Sequence, residues 1–192
     1  MEMSLKEHNE RKNRTYKMML WFAMISMFML FAGLTSAYVV STSRPDWLKD
    51  FVLPDAFMIS TLIIILSSVT FHMAKVSITK GDRQATSNYL IGTLLLGIAF
   101  VGAQFYGFQK VIDSGYYFTG AESTITTTFL YIVTIVHMVH VFAGIIVLLI
   151  VIYNHFKQKY SASQSLGIEL GAMFWHFLDI LWVYLFLFFY FY

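Results

Sequence analysis

Polar and apolar stretches alternate along this chain in long blocks, and five apolar runs stand out, at about residues 17–40, 56–74, 88–108, 124–153 and 170–192. A bilayer's hydrocarbon core is roughly 30 Å thick, which a helix crosses with about 20 apolar residues. Each run meets or comes close to that length, so the pattern predicts an all-α polytopic membrane protein with five transmembrane helices in one bundle. A polar head, residues 1–16, precedes them as a short amphipathic or disordered segment, and residues 17–192 form the membrane domain. The connection 41–55 holds Pro45, Pro54 and Trp47; a turn at 75–87 holds Gly81-Asp82-Arg83; a loop at 109–123 holds Tyr116 and Tyr117. Small residues recur on the first run (Ala32 with Ser36, Gly33 with Ala37) and on the third (Gly92, Gly97, Gly102), where they let another helix approach closely. Such faces serve packing within the chain or against a neighbouring subunit.

Charge adds an orientation. Lys6, Arg11, Lys12, Arg14 and Lys17 in and beside the head, Lys75, Lys80 and Arg83 in the first turn, and Lys157 and Lys159 in the last turn fall on one side. Arg44, Lys49 and Lys110 fall on the other. By the positive-inside rule the N-terminus is cytoplasmic and the C-terminus external. Composition agrees with a membrane protein: 58% of the 192 residues are hydrophobic and only 12% charged. A net charge of +2, with the cations at segment ends, suggests no nucleic-acid partner. Without cysteine the chain has no disulfide, thiolate metal site or Cys-based haem attachment. A long basic head, a full first span and no small-residue cleavage site argue against a cleavable signal peptide.

Candidate chemistry concentrates in the last two runs. The fifth contains Trp175, His176, Asp179 and Trp182, with Glu169 two turns before His176 on nearly the same face. A central Asp costs roughly 2.5–3.5 kcal/mol on insertion, and each Leu, Ile, Phe or Val returns about 0.3–0.6 kcal/mol. The apolar residues outweigh it, so the span inserts and its ionisable stripe faces protein rather than lipid. The fourth run carries His137 and His140 three apart, with Thr134 and Gly144 on or beside that face. A short turn makes these two helices antiparallel neighbours, so His137, His140, Glu169, His176 and Asp179 are expected to share one interhelical network. Three readings stay open for that set: helix joining, a haem or metal site, and a proton path. The haem reading lacks a matching second His in an opposite span. Gln104 in the third run reads as an interhelical hydrogen bond, His72 as interfacial, and His8 and His155 as solvated. The aromatic end, 188–192, reads as an interfacial anchor.

The two C-terminal elements together are specific. His137-Met138-Val139-His140-Val141-Phe142-Ala143-Gly144, then Glu169, then Trp175-His176-Phe177-Leu178-Asp179-Ile180-Leu181-Trp182 resembles subunit III of the haem–copper respiratory oxidases, in its short five-helix form. Ser67-Ser68, Gly81-Asp82-Arg83 and Gln104 also fall in that family's order, so the resemblance covers roughly residues 20–192. It implies a non-catalytic subunit of an oxidase in a bacterial-type cytoplasmic (inner) membrane. The holoenzyme would reduce oxygen to water and pump protons, with haem and copper in partner subunits and none bound by this chain. It further implies direct packing against subunit I, company of subunit II and small subunits, structural phospholipids in a cleft, support of proton uptake, and a place open to a respiratory supercomplex. The family resemblance favours helix joining for the histidines, with Gly144, Gln104, Trp175 and Trp182 in interhelical packing or hydrogen bonds. Three positions depart from the family pattern: Met27 and Gly107 stand where it often has Glu, and Asn154 where an Arg contacts lipid headgroups. That last change leaves His155 and Lys157 as candidate headgroup contacts. An accessory protein of a nitric oxide reductase system shares the five-helix form and is the rival within the family; a proton-coupled transporter or a stand-alone haem protein is the rival outside it.

Overall fold

The computed structural model describes residues 5–44, 47–48, 53–120, 123–161 and 164–191. Of the residues singled out above, Pro45, Lys49 and Tyr192 lie outside the described residues, as do the side chains of Lys6 and His8. Five helices make up the fold: α1 (Leu5–Ser41), α2 (Asp55–Thr79), α3 (Arg83–Asp113), α4 (Ile125–Phe156) and α5 (Leu166–Phe191). All five are long and apolar enough to cross a membrane. Outside them, the described residues add only an isolated bridge between Ser161 and Gln164.

The helices run past the apolar blocks because backbone hydrogen bonding does not stop where hydropathy does. α1 takes in most of the polar head, where Glu7 with Arg11 and Glu10 with Arg14 stand four apart, a spacing that supports a helix. At about 1.5 Å per residue its 37 residues reach well beyond a hydrocarbon core. Local chemistry sets several ends. Asp82 caps α3 by accepting from the Ala85 N–H at 2.9 Å, and Gly81, at φ +80°, turns the chain just before it. Thr124 and Thr127 form a reciprocal capping box at the start of α4.

Helices α2, α3, α4 and α5 pack in a ring, each against the next and α5 back against α2. α1 lies outside the ring, and among the described residues its helix neighbours are α4 and α5. The antiparallel order brings the N-terminal part of α1, the α2–α3 turn and the α4–α5 turn to one end. Arg83 there donates to the Tyr160 carbonyl at 2.9 Å and Ser87 bonds His155 at 2.9 Å.

Candidate functional site

Two tryptophans of α5, two turns apart, fill the axis of the ring. Trp175 is 2% exposed and Trp182 1%. Trp175 lies against Gly97 of α3, Gly144 of α4 and Phe71 of α2, and its indole N–H donates to Ser67 Oγ at 3.1 Å. Trp182 packs against Phe57 of α2, Phe100 of α3 and His137 of α4, and its N–H donates to Thr61 Oγ1 at 3.0 Å. Each indole thus touches all three other ring helices and has its one donor satisfied. Gly97 and Gly144 make room for this. A Cβ on Gly97 would lie 2.9 Å from Trp175, and one on Gly144 would lie 2.7 Å from Leu178.

The polar stripe beside them is answered by α2. Ser68 Oγ and His176 Nδ1 are 2.6 Å apart, and the Asp179 carboxyl lies close to the same hydroxyl, its Oδ2 having no hydrogen-bond partner among the described residues. Asp179 is only 4% exposed, so this neutral hydroxyl is a material part of its environment. His176 is half-buried, with the exposed His72 ring 6.2 Å away, centroid to centroid. Glu169 sits apart, in the first turn of α5, where its Oε1 takes the Lys17 ammonium of α1 at 2.7 Å. A carboxylate there also complements the positive end of the helix dipole.

Of the five residues expected in one α4–α5 network, His176 and Asp179 share a setting at Ser68 of α2, and the other three stand apart. His140 Nδ1 turns back to the Val136 carbonyl at 2.7 Å and the ring lies against Phe31 of α1. His137 is fully buried, stacked on Trp182 with ring centroids 5.1 Å apart, and edged by Phe31 and Phe100. The α4–α5 contact is instead made by glycine and large side chains, which is why the hydrogen bonds fall to the hydroxyls of α2. Gln104 is completely buried and donates from Nε2 to Ser60 Oγ at 2.8 Å, joining α3 to α2. His155, expected to be solvated or at lipid headgroups, turns inward: it is 5% exposed and its Nε2 meets Ser87. Lys157 stays exposed, over the ring of Tyr153 at 4.7 Å. Sequence reading missed Thr61, Lys17 and the bond between Thr35 and Tyr184 (3.0 Å). A hydroxyl residue in an apolar span was the available signal, but it does not say which partner it meets.

Among the described residues no three His, Cys, Asp or Glu side chains gather as a metal site. The arrangement holds helices together, and its ionisable groups meet hydroxyls, carbonyls, rings or a lysine.

Fold and site together define a multi-pass helical membrane protein whose intramembrane polar groups mostly face its own helices. Comparison with known proteins gives the family. The family model for cytochrome c oxidase subunit III matches residues 2–192. Cytochrome c oxidase subunit 3 of Thermostichus vulcanus is 30% identical over 167 residues, covering 85% of this chain and 80% of the relative. Cytochrome bo(3) ubiquinol oxidase subunit 3 of Pseudomonas aeruginosa is 29% identical, covering 85% and 78%. Cytochrome c oxidase subunit 3 of Drosophila yakuba is 33% identical over 130 residues, covering 68% and 47%. The chain belongs to the cytochrome c oxidase subunit III family. It is part of a multi-subunit oxidase complex, in a family that is itself non-catalytic. Neither the reductase-accessory reading nor the transporter reading gains support from these relatives.

Proposed function

We propose that this chain is a structural subunit that stabilises the haem- and copper-bearing subunit I of a terminal oxidase and supports its proton uptake. The membrane would be a bacterial-type cytoplasmic one, with the N-terminus inside, and subunit II and small subunits would complete the complex. The observation that carries this is the division of labour in the spans. Polar side chains such as Ser68, Gln104 and Asp179 are turned inward, while Phe22, Met29, Leu62, Leu95 and Phe105 cover the outside. That leaves a rigid apolar body suited to lipid and to another subunit. Relatives that serve cytochrome c and ubiquinol oxidases match almost equally well, which fits a subunit remote from donor choice.

Structural phospholipid is part of the proposal. An apolar groove of about 420 Å³ runs between α1, α4 and α5, past Leu20, Met27, Ile150 and Phe174. It meets a polar recess of about 610 Å³ at Tyr160 and Gly167, where Lys12, Lys17 and Lys159 gather. The recess also holds Glu10 and the Glu169 paired with Lys17, so a phosphate would sit over Lys12 and Lys159 with its chain along the groove. Purification through a tag on this chain in mild detergent tests the main reading. The expected companions are a haem- and copper-containing subunit I and a subunit II. Isolation of the chain with a haem/non-haem-iron reductase, or with a Soret band of its own, would overturn it.

A further inference from the structure

α3 and α4 meet along a ladder of three rungs. At one end Phe108 stacks on Tyr131, with centroids 5.4 Å apart and planes at 20°. At the other, Phe100 meets the His137 ring edge-on at 6.3 Å. Gln104 lies one turn from each of the two phenylalanines, and Thr134 one turn from each of the two α4 rings, so antiparallel packing sets Gln104 and Thr134 across from each other. Both are buried, 0% and 1% exposed.

This middle rung is polar and incompletely bonded. Gln104 Oε1, Thr134 Oγ1 and both ring nitrogens of His137 have no hydrogen-bond partner among the described residues. Asp179 Oδ2 and His155 Nδ1 are the other buried side-chain atoms unmet among the described residues, and each stands alone rather than in a cluster. Every neighbouring hydroxyl of α2 is bonded, including Ser60, Thr61, Ser67 and Thr70. Thr134 does not even turn back to a carbonyl of its own helix, as Thr61 and Thr93 do. An unmet buried donor or acceptor is costly in a protein interior, and more so at membrane depth, where no bulk water competes. Gln104 is also held in place from behind, because its Nε2 is fixed on Ser60, whose hydroxyl donates to the Phe57 carbonyl.

We infer that Gln104, Thr134 and His137 form an internal water-binding site between α3 and α4. The bonding balances. One water donates to Gln104 Oε1 and to the unprotonated nitrogen of His137, and accepts from the Thr134 hydroxyl. That is about three hydrogen bonds, the usual number for a buried structural water. The rings of Phe31, Phe100 and Trp182 surround the imidazole, and a second water on the same layer would take its remaining N–H. Through Ser60 the site joins α2, α3 and α4 at a single depth, and it accounts for a buried glutamine and histidine whose remaining polar atoms no side chain answers.

Water-edited solid-state NMR on the intact oxidase complex, with ¹⁵N-labelled histidine and glutamine, tests this. The His137 ring nitrogens are expected to receive magnetisation from water several-fold faster than the buried amides of Val133 and Val141. Thr134→Val should slow that transfer, and Thr134→Ser should restore it. Transfer to His137 no faster than to those amides in the unmodified complex would overturn the inference. So would a direct Gln104–Thr134 hydrogen bond in a high-resolution map of the complex with no density between the side chains. Both readings use the unmodified protein, so neither depends on a variant folding.

Discussion

A tryptophan on the axis of a helix bundle needs a box of apolar walls and one acceptor for its N–H. Trp175 and Trp182 have both, and the walls include two glycines that cannot be enlarged freely. Gly144→Val should force Leu178 and Trp175 off their positions and cost about 1–3 kcal/mol, read as a lower melting temperature in detergent. Gly33→Ala and Gly92→Ala serve as controls, since nothing lies within 4 Å of the added carbon, and they should not lower melting, helix propensity alone favouring Ala by up to about 1 kcal/mol. Ser68→Ala isolates the polar stripe. It strips His176 and Asp179 of a shared hydroxyl while removing little volume, and should cost about 1–3 kcal/mol. A melting temperature equal to that of the unmodified protein would show that the hydroxyl contributes nothing.

At the scale of the elements, α1 is the weakly held one, and its contacts differ greatly in weight. The Lys17–Glu169 pair joins side chains that are 39% and 29% exposed, so solvent screens it. Lys17→Ala should cost less than about 1 kcal/mol, with the difference shrinking as salt is raised. Tyr38 is the opposite case. It is 3% exposed and packs its ring edge-to-face with Trp47, Phe129, Phe188 and Phe189. Tyr38→Ala should cost about 3–5 kcal/mol, a shift in melting that Lys17→Ala does not approach.

The same helices show what the sequence discloses. The apolar runs place all five spans, because transfer to hydrocarbon is a property of composition. Their ends were less legible: caps such as Asp82 and Thr124, and ion-pair spacings in the head, carry the helices beyond the apolar blocks. The partners of the α5 stripe were harder still. Proximity in the chain pointed to α4, yet the hydroxyls that bond His176 and the two indoles lie on α2. Helical geometry explains it. His176 sits about 100° around the helix from Trp175, so when the indoles point along the axis the imidazole swings to one flank. Which helix occupies that flank is a property of the ring order, and periodicity in one helix does not encode it.

For the whole molecule, orientation and assembly are the open predictions. The chain has no cysteine, so single cysteines report sidedness cleanly. Lys80→Cys, in the α2–α3 turn, should react with an impermeant maleimide only after cells are opened, and Ser114→Cys, at the far end of α3, should react in intact cells. The opposite pattern would reverse the proposed topology. Assembly bears on the central claim, that buried polar groups hold together a body which another subunit relies on. The most direct measurement is the ratio of subunit I to this chain in tagged oxidase carrying Asp179→Ala, taken with the turnover lifetime of the complex. Both should fall below the unmodified values, with Asp179→Asn closer to normal because an amide can still bond Ser68. An unchanged ratio and an unchanged lifetime in Asp179→Ala would contradict the account.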